Sequence, residues 1–238
     1  MTTRKFVVTD EQEKIFHKRR RELENRFFKG ALNPEDVNQG LQMLIEGRKV
    51  IVFKEKPNIP ALIVDWRNFY SELGIEADFS NLQIPNKQKG FDHLIIVAKE
   101  MTPQLLYDKC EELFPCWKWT DKNLDEIVES ERTAKNGAYA IWVRDRVEAD
   151  EELKNLSADD LKNKNIPGIT LEERLIHELK YFKETGKHLD RDNVTLCAGS
   201  RYSDGHVPGV DWYGGRLEVG WRSPDRRGGF LRARRAVS

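Results

Sequence analysis

The stretch from Asn193 to Ser238 constrains the fold most, because no helical periodicity survives in it and Gly, Pro, Ser and Asp cut it into short runs. Two of these runs alternate with a period of two. In "VPGVDWY", Val210 and Trp212 point one way while Gly209, Asp211 and Tyr213 point the other. In "RLEVGWR", Leu217, Val219 and Trp221 form the apolar side, and Arg216, Glu218, Gly220 and Arg222 the opposite one. Between them "YGGR" supplies a glycine turn, so the pair predicts a β-hairpin with one buried and one open face. "FLRARRAVS" returns a last strand with Leu231, Ala233 and Val237 at least partly covered. Glycine weakens strands, and Gly, Asp, Tyr, Glu and Arg facing the same way make a poor surface on stability grounds alone. That face is read as chosen for something other than folding.

Upstream, helix signals dominate. Thr9 and Gln12 form a capping box before Phe16, Leu23 and Phe27, with Gly30 as the stop. Asn33 caps a second helix with Pro34 at its first position, Val37, Leu41, Leu44 and Ile45 on one face, and Gly47 behind it. "KVIVFKE" predicts a strand and "VDWRNFYSELG" a short helix. The aperiodic passage "FSNLQIPNKQKG" sets a boundary near Gly90. After it come a buried strand in "FDHLIIVAKE" and a helix capped by Thr102 that turns Leu106, Cys110, Leu113 and Phe114 inward. A strand in "KNGAYAIWVRD" follows, then a short helix or surface loop in "EADEELKNLSADDLKNKNIPG". The Thr170 and Glu173 capping box then starts a helix burying Leu171, Leu175, Leu179 and Phe182 and closed by Gly186.

Composition excludes several classes. The chain of 238 residues carries 40 basic and 40 acidic side chains, which removes any whole-protein attraction to nucleic acid or anionic membrane. Apolar runs such as "HLIIVA" are far shorter than the ~20 residues that cross a bilayer, and no apolar signal core develops near Met1, so no membrane insertion is expected and the cytoplasm is the default compartment. Cys110, Cys116 and Cys197 read as buried thiols, since an odd number suits no disulfide framework. His17, His93, His177, His188 and His206 share no ligand spacing, so no metal is expected; with no phosphate-cradling loop or serine elbow, no cofactor and no catalytic residue is assigned either. The acidic runs "EADEEL" and "SADDL" read as solvated faces. "HKRRR", "DRRGG" and "RARR" support an alternative reading, nucleic-acid binding with Trp212, Tyr213, Trp221 or Phe230 as stacking rings. The first cluster lies on a helix whose other face is apolar and is offset by Glu22 and Glu24, so this remains the runner-up.

The order of elements from Phe91 onward resembles a C-type-lectin fold, and "LCAGSRYSDGHVPGVDW", "LEVGW" and the terminal "LRARRAVS" look like the C-terminal region of variable proteins of diversity-generating retroelements. The resemblance is most specific from Leu196 to Ser238. It implies an α+β chain: a helix-rich region over 1–90 that packs on or assembles the main domain, then a C-type-lectin-like domain of two helices and short antiparallel strands over 91–238. In that family an error-prone reverse transcriptase copies a template and rewrites the ligand-binding surface, here about 199–235. The resemblance therefore implies a non-enzymatic binder whose protein or surface ligand differs between variants, as an oligomer or not, and which reaches a surface by some other route if it is displayed there.

Carried over residue by residue, the variable role falls on Gly209, Asp211, Tyr213, Gly214, Glu218, Gly220, Arg222, Arg226, Gly228, Gly229 and Phe230, over a scaffold of Val210, Trp212, Leu217, Val219 and Trp221. Tyr213, Arg222, Arg226 and Phe230 are the expected anchors, and Gly209 and Gly220 are expected to leave room for the partner. Calcium-dependent lectins display Glu-Pro-Asn or Gln-Pro-Asp with Trp-Asn-Asp; none occurs here, and Arg follows "SPD" where an oxygen ligand would be needed, so calcium-dependent sugar binding is not expected. The oxidases that share the fold rely on a close cysteine pair near the C-terminal end, whereas Cys197 stands alone.

Overall fold

Capping chemistry places the first two helices where the sequence puts them. The computed structural model of the chain describes residues 9–30, 32–46 and 58–238; the strand expected at "KVIVFKE" and the stop at Gly47 lie outside them. Helix α1 spans Asp10–Phe28, with Thr9 and Gln12 bonded reciprocally, and α2 spans Pro34–Ile45 behind Asn33, whose side chain accepts from the Glu35 amide. The chain divides into two compact units between Pro57 and Asn58.

The second unit begins upstream of the boundary expected near Gly90, because helix α3 (Ile59–Glu72) is built into its core. Its apolar face carries Trp66, Phe69 and Tyr70 inward, and two polar tips fix it to strand β1 (His93–Val97). Trp66 Nε1 donates to the Leu94 carbonyl at 3.2 Å, and the Tyr70 hydroxyl donates to Ile96 O at 2.8 Å while accepting from the Ala98 amide at 2.9 Å. Satisfying both rings in this way lets them be buried without orphaned polar atoms. Lys87 and Lys180 add cations over the Trp142 and Trp66 rings, at 5.5 and 5.1 Å.

The rest of the unit is α+β. Helix α4 (Pro103–Glu111) leads to strand β2 (Cys116–Lys118), helix α5 (Leu124–Ile127) runs into β3 (Val128–Ser130), and β4 (Tyr139–Val143) pairs antiparallel with β1. A 3-10 turn at Glu151–Leu153 and helix α6 (Ala158–Asn163) precede the long helix α7 (Leu171–Thr185), which has the expected Thr170–Glu173 box and Gly186 in the left-handed conformation at its end. Strands β5 (Val194–Leu196), β6 (Ser200–Tyr202), β7 (Val207–Tyr213), β8 (Arg216–Arg222) and β9 (Leu231–Ala233) complete the chain.

The main sheet has the order β2-β8-β7-β5-β9, and β3 pairs with β6. The β2–β8 and β5–β9 pairings are parallel, unlike the all-antiparallel arrangement expected. Its edge strands therefore come from distant parts of the sequence, which local patterning does not reveal. One core joins α3, β1, β4, α4 and α7 to one face of the β7–β8 hairpin. Leu113, expected inside, lies past the end of α4 and is 37% exposed. Cys110 and Cys197 are buried and Cys116 half-buried, all three as free thiols. Among the described residues no helix is long and apolar enough to cross a membrane.

Candidate binding face

The hairpin turn is made by Gly214 and Gly215, both at positive φ, the backbone that a two-residue turn between twisted strands requires. The register pairs Gly209 with Gly220, Asp211 with Glu218 and Tyr213 with Arg216 on one face, and Val210 with Val219 and Trp212 with Leu217 on the other. Val210, Leu217 and Val219 are fully buried. Trp212 is half-buried and stacks on His188, ring centroids 3.3 Å apart, while His188 Nδ1 lies 2.9 Å from a Glu178 carboxylate oxygen.

Trp221 departs from the expected scaffold. It pairs with Pro208 and has the parity of the inner face, yet it is 47% exposed. The buried Tyr202, whose hydroxyl donates to the Gly220 carbonyl at 3.2 Å, fills the core at that level, and Trp221 lies edge-on to His206 outside it.

The outer face is closed at one end and open at the other. Leu153, Ala158 and Leu161 cluster with Ala198, Val207 and Ala233, so the segment around α6 covers the sheet where β7 begins. Toward the turn, Tyr213 is 69% exposed and Asp211 and Glu218 are half-buried, whereas the half-buried Arg222 pairs with Val207 at the covered end. Two residues outside the carried-over set complete this open end. Trp117 on β2 is in register with Glu218, and the Arg216 guanidinium lies 5.3 Å from the Trp117 ring centroid while bonding Glu218 at 2.8 Å. Arg216 shows its direction in the alternation of "RLEVGWR"; Trp117 gives no local signal, because its facing depends on a parallel pairing a hundred residues away.

Gly209 and Gly220 face outward as expected but are buried, and the room they leave is already occupied. A Cβ on Gly220 would come 3.0 Å from an Arg222 guanidinium nitrogen, and one on Gly209 would come 3.1 Å from Val194 Cγ1 and 3.4 Å from Arg222 Cγ. The facing glycines are a bed for the Arg222 side chain rather than a gap for a partner. Beside them, the Asp211 carboxylate makes no hydrogen bond or ion pair among the described residues. Burial pushes its carboxyl up to about 6; the Arg222 charge opposes this and the Glu218 carboxylate directly across adds to it.

Arg226, Gly228, Gly229 and Phe230 lie apart from this face, on the 223–230 connection that carries the chain from β8 to the opposite edge. This connection is fastened to α6: Arg227 forks onto Asp160 at 2.6 and 2.7 Å, and the Asp159 amide donates to Pro224 O at 3.0 Å. Arg226 and Phe230 are exposed, whereas Gly228 is half-buried against the Phe230 ring.

Several charged runs have structural roles that their composition hides. Arg234 of "RARR" is 1% exposed, and Arg232 and Arg227 hold Glu151 and Asp160, so these tail cations are engaged within the chain. The acidic runs are not wholly solvated either. Asp150 is 1% exposed and takes the Arg144 guanidinium, and Asp160 closes a capping box with Ser157.

Behind the inner face lies a buried charge network. Asp190 accepts from Arg174 at 2.9 Å, Arg234 at 2.7 Å, Thr195 at 2.6 Å and the Ala149 amide at 2.9 Å, and Arg174 also holds Glu178 at 2.8 Å. The buried His177 and the half-buried His93 form a second pair, rings 4.6 Å apart, both held below the usual imidazole range by loss of solvent.

Among the described residues no group of three or more His, Cys, Asp or Glu could hold a metal. The open face offers rings, donors and acceptors at a solvent boundary, the chemistry of contact with another surface. No family model, no curated protein and no solved structure matches the chain.

Proposed function

We propose that the chain is a non-enzymatic ligand-binding protein that presents a hypervariable surface on a C-type-lectin-like domain, diversified by a retroelement. The observation that carries this reading is the separation of roles along one hairpin. Val210, Leu217 and Val219 are inaccessible, while their immediate neighbours Asp211, Tyr213 and Glu218 share the other face and are not needed to fill the core. A backbone fastened on one side can hold many different side chains on the other, which is what a rewritable binding surface requires.

Within this reading Tyr213 is the chief anchor, because a large exposed ring contributes area with little rotamer cost. Trp117, on β2 across the intervening β8, adds a fixed aromatic outside the rewritten segment. Arg222 contributes charge and also packs over the glycines, so replacing it changes the surface as well as its chemistry. The ligand is a protein or other surface that differs with the variant.

The test is genetic. The locus should carry a reverse transcriptase and a near-copy of the tail, and copies of the gene should differ at Asp211, Tyr213, Glu218 and Arg222 while keeping Val210, Leu217 and Val219. A locus with neither element, or variation spread evenly over both faces, would overturn the proposal.

A further inference from the structure

Helices α1 and α2 raise a separate question, because neither contains a buried residue. Phe16, Phe28, Leu44 and Ile45 are 63%, 82%, 64% and 79% exposed, with Ile15 and Leu41 also above 40%. A helical pair of this length cannot enclose a core of its own, and so many large apolar side chains on so short a segment mark an interface.

The charges indicate what covers it. Between Pro34 and Ile45 the chain carries Glu35 and Asp36 and no Lys or Arg, whereas the middle of α1 carries the run Lys18, Arg19, Arg20 and Arg21, with Asp10, Glu11 and Glu13 before it and Glu22 and Glu24 after it. Among the described residues no ion pair joins the two helices; the pairs formed by α1 are internal, His17 with Glu13 and Arg20 with Glu24. A second copy of the same pair brings an apolar stripe together with charges of both required signs.

We propose that α1 and α2 form a self-association surface. Two copies pair about a two-fold axis, the acidic first turn of α2 in each lying against the central basic run of α1 in the other, so that both apolar stripes close at once. The inference is independent of the ligand-binding role of the sheet.

The full chain is examined by sedimentation velocity. The expected species has twice the 27.8 kDa chain mass; a monomer at every concentration overturns the proposal. Phe16→Glu combined with Leu44→Glu and Ile45→Glu is expected to give a monomer whose cooperative unfolding is unchanged, and a persistent dimer overturns it. A charge swap then identifies the occupant. One chain carries Lys18→Glu and Arg21→Glu, the other Glu35→Lys and Asp36→Lys. Each alone should self-associate at least ~10-fold more weakly, because like charges face each other, and mixing should restore a heterodimer. Failure of the mixture to associate overturns the α1-to-α2 pairing, since any other partner or arrangement gains nothing from the swap.

Discussion

The two faces of the β7–β8 hairpin share one backbone and differ in how their side chains are held. On the inner face Val210, Leu217 and Val219 are locked into the main core, and the Trp212 amide donates at 3.0 Å to the carbonyl of Asp190, the centre of the buried charge network. On the outer face Tyr213 projects into solvent, Glu218 is held mainly by Arg216, and the Asp211 carboxylate has no hydrogen bond or ion pair among the described residues. Toward the turn the inner face alone fastens the strands to the core, while at Gly209 and Gly220 the outer face has no room for a Cβ. Proteins that use loops for recognition separate scaffold from contact along the chain; here the separation runs across a single strand, residue by residue.

The comparison is broken most severely behind the inner face. Asp190→Asn removes the negative charge that serves both Arg174 and Arg234 and leaves two buried guanidinium groups short of compensation. A loss of about 3–5 kcal/mol in urea unfolding is expected. A loss under 1 kcal/mol would mean that the network is hydrated rather than sealed.

Trp212→Ala comes next. The ring is half-buried and stacked on His188, so truncation should cost about 3 kcal/mol, the lower end for an aromatic core deletion, measured in the same way. The near-UV circular dichroism of the stacked indole should fall with it.

The legibility of this contrast in the sequence follows its range. The alternation in "RLEVGWR", the glycine turn and the helix caps are local, and they place the hairpin, its two faces and α1, α2, α4 and α7 correctly. Partners distant in sequence are not visible. Arg174 meets Asp190 across 16 positions and Arg234 meets it across 44, so "RARR" reads as a basic surface although its third residue is in the core. Trp117 reaches the open face through the β2–β8 pairing, Tyr202 takes the place that alternation assigns to Trp221, and Arg222 lies in the bed that the glycines were expected to leave for a ligand. In each case period two predicts a direction, while burial depends on what the rest of the chain lays there.

Asp211 sharpens the comparison through pH. Its carboxyl titrates at about 6 in the folded chain against ~3.9 unfolded, so between these values the folded state binds more protons. Its contribution to stability therefore falls as pH rises through that window. His93 and His177 act in the opposite direction: loss of solvent holds both imidazoles below their usual range, so their contribution to stability falls as pH drops below ~6.5, where the unfolded imidazoles take protons. Asp211→Asn isolates the first effect. The variant should be more stable than the parent by about 1 kcal/mol at neutral pH, after allowance for screening at a solvent-facing site, and the difference should vanish near pH 4. A gap that does not change with pH would place the strain elsewhere.

The smallest expected effect on stability is also the most direct trial of the open face. Replacing Tyr213 and Glu218 together with Ala removes one ring that is 69% exposed and one ion pair whose Arg216 side is 45% exposed. Surface pairs of this kind contribute at most ~1 kcal/mol, and loss of the Glu218 charge also relieves its repulsion of Asp211 directly across the strand pair. The two terms offset each other, so the unfolding free energy should stay within ~0.5 kcal/mol of the parent. Under the proposed binding role, ligand capture should be lost, because the proposed anchor Tyr213 and the acceptor in register with Trp117 have both gone. If the double variant instead unfolds as readily as Trp212→Ala, the outer side chains hold the sheet together, and the face cannot be rewritten without rewriting the fold.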